Sequence, residues 1–242
     1  EVFERWNVAG ITRAELDPRY DKYIGENNIH LYPPEEMNDN NTLFVKGCKK
    51  LGWHVEQFPV NTRGCRGLGM CNLGCAVHAK QGTAYVQIPE AEENGVEVIS
   101  FCRVDRIDGH DVLCQVIPPE YELKPSPLAV GYYRLRAKKI ILSAGCIFSP
   151  VLLMRSLGKR FLPALGRYFT CHPALILVGE HGHPIQNVQG HPKSFYCDEY
   201  MNSHHFLLET CMYFPFTLAK NLMGYGEEMD DLIGHYPNLQ MI

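Results

Sequence analysis

Three cysteines stand close together in Gly64-Cys-Arg-Gly-Leu-Gly-Met-Cys-Asn-Leu-Gly-Cys-Ala-Val-His-Ala-Lys80: Cys65, Cys71 and Cys75, spaced C-x5-C-x3-C. Thiolates are soft ligands suited to iron–sulfur clusters and to zinc. The glycines between them let the backbone take positive φ and wrap closely around a bound group. Packing rarely requires such a pattern. The spacing therefore indicates either a redox metal site or a tight cysteine-rich turn against a cofactor. The remaining cysteines of the ten in the chain, Cys48, Cys102, Cys114, Cys146, Cys171, Cys197 and Cys211, stand singly. Each of these reads as a small buried hydrophobe.

A second place where chemistry is expected begins at Lys138-Lys-Ile-Ile-Leu-Ser-Ala-Gly145 and runs on to Gly158. A continuous apolar strand, Ile140 to Leu142, runs into a bend of small residues. Ser149-Pro150 then opens a helix over Val151–Leu157, with Ser as N-cap and Pro at the first helical position. Gly158 closes it. A buried strand, a small-residue turn and a helix N-terminus together offer backbone N–H groups to a phosphate or a dinucleotide edge. An ordinary strand–helix unit has the same pattern.

Other elements must position these two places. Thr12 with Glu15 three residues later starts a helix with a capping box. Pro33 to Asn41 is loop by composition. Asn41 to Leu51 predicts a helix with an apolar stripe at Leu43, Phe44, Gly47 and Leu51, ended by Gly52. Pro59 to Gly82 forms the cysteine loop. Pro89 to Asn94 ends a helix, stopped at Asn94-Gly95. From Val96 the period becomes strand-like. Short strands at Val96–Phe101, Val112–Ile117 and Gly131–Arg136, interrupted by a Pro-rich crossover from Pro118 to Pro127, predict an antiparallel meander. A further strand is expected over Ala174–Gly179, and a helix over Met229–Ile233. The aromatic run Tyr213–Phe216 reads as core. His181, His183 and His191, set among Gly and Pro, read as an exposed loop, as does His204-His205.

The chain has 242 residues and a formal net charge of −4, which gives no support for nucleic-acid binding. No apolar run approaches the length of a membrane span. The sequence begins Glu1-Val-Phe-Glu and ends Gln240-Met-Ile242, both abruptly, so a piece of a longer chain is expected, and the compartment stays open.

Several motifs, taken in order, resemble one family. They are the cysteine–glycine loop with Ala79-Lys80, Gly95-Val96-Glu97-Val98, Cys102-Arg-Val-Asp-Arg-Ile107, Lys139 through Leu153, Leu165-Gly166 and His172-Pro173. Together they resemble the middle of a glucose–methanol–choline (GMC) flavoprotein oxidoreductase, from about Trp6 to the end and loosely before Asn61. Gly145-Cys-x-x-Ser149-Pro150-x-Leu152-Leu153-x-x-Ser156 is similar to that family's second signature. Cys146 stands where alanine is usual, and Leu157 where glycine is usual.

The resemblance implies an α/β (α+β) chain: part of an FAD-binding Rossmann-like domain with an antiparallel meander, plus part of a mixed-sheet substrate domain. Residues 1–95 would form a cap or substrate-side segment carrying the cysteine-rich loop 61–82. Residues 96–169 would belong to the FAD-binding domain, and 170–242 to the substrate-binding domain. The full enzyme would oxidise CH–OH to C=O, with hydride passing to FAD. The small-molecule alcohol could be an aliphatic alcohol, a sterol, a sugar or a polyol. Val104 matches the position whose backbone meets the adenine edge. Ser143, Ala144 and Gly145 match the turn beside the adenosine and pyrophosphate. Two family parts have no match here: a strand–G-x-G-x-x-G–helix unit, and the catalytic His with its His or Asn partner. The 242-residue piece alone is therefore expected to hold flavin weakly.

For Cys65, Cys71 and Cys75 the resemblance adds a sharper reading. Certain electron-transferring GMC dehydrogenase subunits carry a three-iron (3Fe-4S) cluster on cysteines at this spacing, which would pass electrons to a cytochrome subunit. Three alternatives stand beside it: zinc on the three thiolates plus His78, although structural zinc sites usually use two C-x2–4-C pairs; a disulfide between two of the three; and reduced cysteines in a tight loop. A metal or electron-transfer module without flavin, and an inert fragment, are the rival functions.

Overall fold

The computed structural model describes residues 2–119, 126–158 and 162–242. The chain is a mixed α/β protein whose sheets, among the described residues, are all antiparallel. It divides into two compact units, Glu1–Glu90 with Leu175–Ile242, and Ala91–Ala174.

The first unit is built from short strands joined by long-range polar contacts. Thr12 caps the helix Arg13–Glu26 through a complete capping box with Glu15. Ile29–Leu31 pairs with Pro59–Asn61. Leu239–Met241 pairs with Val178–Glu180. Phe195–Cys197 lies between Glu56–Gln57 and Leu208–Glu209. The strand expected over Ala174–Gly179 is thus confined to Val178–Glu180, where a partner exists. One core gathers Leu218, Tyr236, Leu239 and Met241. A second gathers Phe44, Cys48 and Cys197. The aromatic run does not join either core as a block: Pro215 starts the helix Pro215–Asn221, and Phe216 is 84% exposed. The helix expected near Met229 runs from Glu227 to Gly234.

The helix after the first proline-rich loop begins earlier than its apolar stripe indicates. It spans Asp39–Leu51, with Asn38 as N-cap and Gly52 left-handed at its end. Asn38-Asp-Asn-Asn41 is therefore a helix start and not a loop. Asn38, Asn40 and Asn41 are buried, while Leu51 points outward. Asn40 donates to the carbonyls of Cys211 and Met241 and accepts from the Met241 N–H at 2.7 Å. Asn41 donates to the His191 carbonyl, and Asn38 to that of Gln189. Asp39 exchanges two bonds with Gln186, one through its backbone N–H and one through its carboxylate. One helix terminus thus ties three distant stretches together.

The second unit holds the meander. Its strands are Cys102–Asp108, Asp111–Val116 and Gly131–Arg136, paired in that order. The last matches its expected bounds. The first starts later than Val96–Phe101: Phe101 is left-handed at φ 52°, Val96 and Val98 are exposed, and the ladder opens only where Cys102 meets Val116. The crossover 118–127 lies largely outside the described residues. The helix Gly145–Leu157 packs on the first strand, where the Ser156 hydroxyl accepts the Ile107 N–H at 2.9 Å. It starts a turn before Ser149-Pro150, so Pro150 sits inside it and forfeits one backbone bond. Preceding it, residues 140–142 form no strand. Among the described residues no strand pairs with them, and a central strand needs a neighbour to supply its ladder.

Candidate functional site

In the unit Ala91–Ala174 the candidate site is the bend at residues 143–145. Ser143, Ala144 and Gly145 are all exposed. Gly145 has φ 79°, and a Cβ built on it would meet nothing within 4 Å. Ala144 occupies the N-cap position of the 13-residue helix without any side-chain cap bond. The first N–H groups of that helix therefore have no side-chain acceptor and carry the positive end of the helix dipole. Beside the bend, Ile141 is 90% exposed, Ile147 59% and Phe148 70%. An open apolar rim thus lies beside a helix start whose N-cap residue makes no side-chain cap bond. Cys146, expected to be buried, is exposed here in the first helical turn, and Cys171 is exposed outside any helix or strand.

Val104 lies on the first meander strand, half-buried, opposite Cys114. The register shifts between Val104 and Arg106, so Asp105 is an extra residue and the ladder is interrupted beside Val104. No backbone hydrogen bond among the described residues joins Val104 to Ser143, Ala144 or Gly145. Val104 and Ser143–Gly145 therefore share a unit, which offers an uncapped helix start and a break in a ladder. His172 and Pro173 are exposed.

In the other unit the cysteine loop is closed by its own backbone. Thr62 bridges Lys80, and the Arg63 N–H donates to the Ala79 carbonyl at 2.8 Å. Gly67 accepts the Gly190 N–H at 2.7 Å, which pins the loop to residues 186–190. Gly69, at φ 70°, holds a conformation that strains any residue with a side chain, and a Cβ there would also displace the Met212 methyl, which stands 2.5 Å from it.

The three sulfurs behave differently within this loop. Cys65 Sγ accepts the Gly67 N–H at 3.4 Å. Cys75 Sγ accepts the Ala79 N–H at 3.2 Å. The N–H groups of Lys80, Ala79, Val77 and His78 together hold the Cys75 thiol below its ordinary range. Burial pushes the Cys71 thiol up, and the neighbouring Cys65 and Cys75 push it further. Tyr32, buried beside Cys65 and bonded to Glu36, has its phenol raised mainly by burial. His78, the candidate fourth zinc ligand, is engaged with the Tyr85 hydroxyl at 2.7 Å.

All three cysteines are free, so no disulfide links them. Among the described residues, no three His, Cys, Asp or Glu side chains converge to hold a metal ion. The surroundings of Cys65 and Cys75 are set by backbone N–H groups. They are those of sulfurs accepting hydrogen bonds inside a tight turn. The histidine pair His181 and His183 has ring centroids 6.0 Å apart, with His181 bonded to Gln240.

Sequence reasoning missed two polar assemblies. One is the buried asparagine group of Asn38, Asn40, Asn41 and Asn187; the signal for it was an Asn/Asp run directly before an apolar stripe, which is an N-cap signature. The other joins His54 to Asp198, from segments 144 residues apart, and no local pattern announces it.

The family model for GMC oxidoreductases matches residues 1–174. An uncharacterised GMC-type oxidoreductase of Mycobacterium tuberculosis is 30% identical over 197 residues, covering 81% of this chain and 30% of that protein. A long-chain-alcohol oxidase of Arabidopsis thaliana is 29% identical over 191 residues, covering 74% of this chain and 25% of that protein. An uncharacterised GMC-type oxidoreductase of Sinorhizobium fredii is 25% identical over 190 residues, covering 76% and 36%. The chain thus spans between 25% and 36% of the length of these three relatives.

Proposed function

The chain belongs to the GMC oxidoreductase family, and from that premise we propose that it is an internal portion of an FAD-dependent enzyme oxidising an alcohol to a carbonyl compound. The observation that carries this reading is the open bend at Ser143–Gly145, which leads into a helix start with no side-chain cap. FAD, when bound, supplies the hydride acceptor for CH–OH oxidation. The chain's own residues bind and orient it. The backbone at Val104 meets the adenine edge. Ser143, Ala144 and Gly145 lie against the adenosine and pyrophosphate, where small side chains permit close approach. The helix N–H groups face the negative charge of the pyrophosphate. Ile141, Ile147 and Phe148 are the exposed apolar side chains beside the bend that would pack against the cofactor.

Long-chain aliphatic alcohols are the substrate class with most support, because the Arabidopsis relative is named for them. The spacing of Cys65, Cys71 and Cys75 supports an electron-relay cluster and a cytochrome acceptor. The Cys65 and Cys75 sulfurs are unlinked by disulfides and accept backbone N–H bonds, which a cluster ligand can do as well as a reduced thiol in a tight turn.

The test uses the full gene product. Purified protein is expected to show the two flavin absorption bands and to oxidise fatty alcohols faster than sugars or sterols. Absence of flavin from the full-length protein would refute the reading. Iron and acid-labile sulfide analysis on the same sample decides the cluster. The 242-residue chain by itself is expected to carry no stoichiometric FAD, since it lacks a G-x-G-x-x-G unit.

A further inference from the structure

We infer that His54 is a pH-gated clasp, holding the edge strand Glu56–Gln57 onto its sheet when protonated and releasing it when neutral. The inference is independent of the flavin reading. Both ring nitrogens of His54 face carboxylates: Nδ1 stands 2.5 Å from the Asp198 Oδ1, and Nε2 stands 3.4 Å from the Glu56 Oε1. An imidazole that donates from both nitrogens is an imidazolium. The His54 backbone N–H donates to the Glu199 carboxylate at 3.2 Å. The Tyr196 hydroxyl donates to the Glu56 Oε2 at 2.6 Å. Asp198, Glu199, Glu56 and Tyr196 are thus the ionisable groups around the ring.

The strand that this cluster holds needs the help. It pairs with Phe195–Cys197 through only two register partners, Glu56 with Tyr196 and Gln57 with Phe195. Among the described residues no strand pairs with its other edge. It continues through Phe58, which donates to the Ser194 carbonyl at 2.8 Å, into Pro59–Asn61 and the cysteine loop. Release at His54 therefore loosens the stem of that loop.

The direction of the pH effect is set by the two partners. The hydrogen bond and charge of Asp198 raise the His54 pKa above 6.5, and the same bond lowers that of Asp198 below 3.8. A raised histidine contributes holding strength that is complete below its unfolded value and lost as pH climbs through the folded one. A lowered aspartate contributes strength that is lost as pH falls through its folded value. The clasp is closed between those limits and opens on the alkaline side first.

Amide hydrogen exchange of segment 53–58, corrected for intrinsic rates, tests this on the intact protein at about pH 6 and about pH 9. Protection is expected to fall about threefold at the higher pH. His54→Gln should show the weak protection at both values, and Asp198→Asn should weaken it at the lower. NMR titration of the His54 ring should place its midpoint above that of an unfolded-chain histidine. Equal protection at both pH values in the parent chain, a pH step that survives in His54→Gln, or an ordinary His54 midpoint would each overturn the inference.

Discussion

The two units of this protein are held by different kinds of interaction. Ala91–Ala174 is organised by neighbours in sequence: three consecutive strands form a meander, and one helix packs on it. Glu1–Glu90 with Leu175–Ile242 is organised by residues far apart, through strands of two or three residues and buried amides. The first kind of order is carried by periodicity. The second is carried by individual polar groups whose partners lie more than 100 residues away, as with Asn40 and Met241. Losing one group should therefore hurt the second kind more.

The largest effect that would sharpen this contrast is in the apolar core of the segmented unit. Phe44→Ala removes a nearly fully buried ring beside Cys48 and Cys197 and is expected to cost about 4 kcal/mol in denaturant unfolding. Asn40→Ala leaves the Met241 N–H and two carbonyls without their partner and should cost about 3 kcal/mol, with no compensating local interaction. In the meander unit the comparable tie is a single hydroxyl. Ser156→Ala loses the bond from the Ile107 N–H and should cost about 1 kcal/mol. If Ser156→Ala proved as damaging as Asn40→Ala, the contrast between the units would fail. The smallest effect is Ile141→Ser, which at 90% exposure should change the stability of this chain by less than about 0.5 kcal/mol. Under the proposed flavin role, the same change in the full-length protein should lower flavin content, read as the flavin-to-protein absorbance ratio.

Alkaline pH probes both units together. Burial pushes Cys48 and Cys211 up to about 11 in one unit and Cys114 up to about 11 in the other. A raised thiol favours folding fully below its unfolded value and loses that advantage as pH rises through the folded one. The denaturant midpoint should thus fall between neutral pH and about 10, and Cys211→Ala should flatten part of that fall.

How far the sequence announced the structure divides along the same line. The strand Gly131–Arg136, the helix stop near Gly95 and the capping box at Thr12 rest on local chemistry, and they stand where that chemistry puts them. The run Ile140–Leu142 has the composition of a buried strand but no ladder beside it, because composition records what a segment can bury and not whether a neighbour is at hand. The Asn38–Asn41 stretch departs from its loop-like composition for the opposite reason. Amides are common in loops, and only the distant carbonyls of His191, Cys211 and Met241 make these residues interior. At the cysteine loop the spacing was visible and the sulfur environment was not, since the acceptor role of Cys65 and Cys75 depends on where the Gly67 and Ala79 N–H groups point. The bend at Ser143–Gly145 was legible as small residues before a helix. That its rim would be so openly apolar was not.

The extra residue at Asp105 is absorbed by its own strand, and the pairing on either side of it stays in step with the partner. Val104 pairs with Cys114 and Ile107 with Val112, so two side chains three apart look toward the same side. Removing Asp105 would leave Arg106 opposite Leu113 and Ile107 opposite Val112 in an unbroken ladder, and would take out the local bend that the extra residue puts into the strand. A single supernumerary amino acid thus acts as a crease, turning the strand where it sits while both halves stay in step with their neighbour.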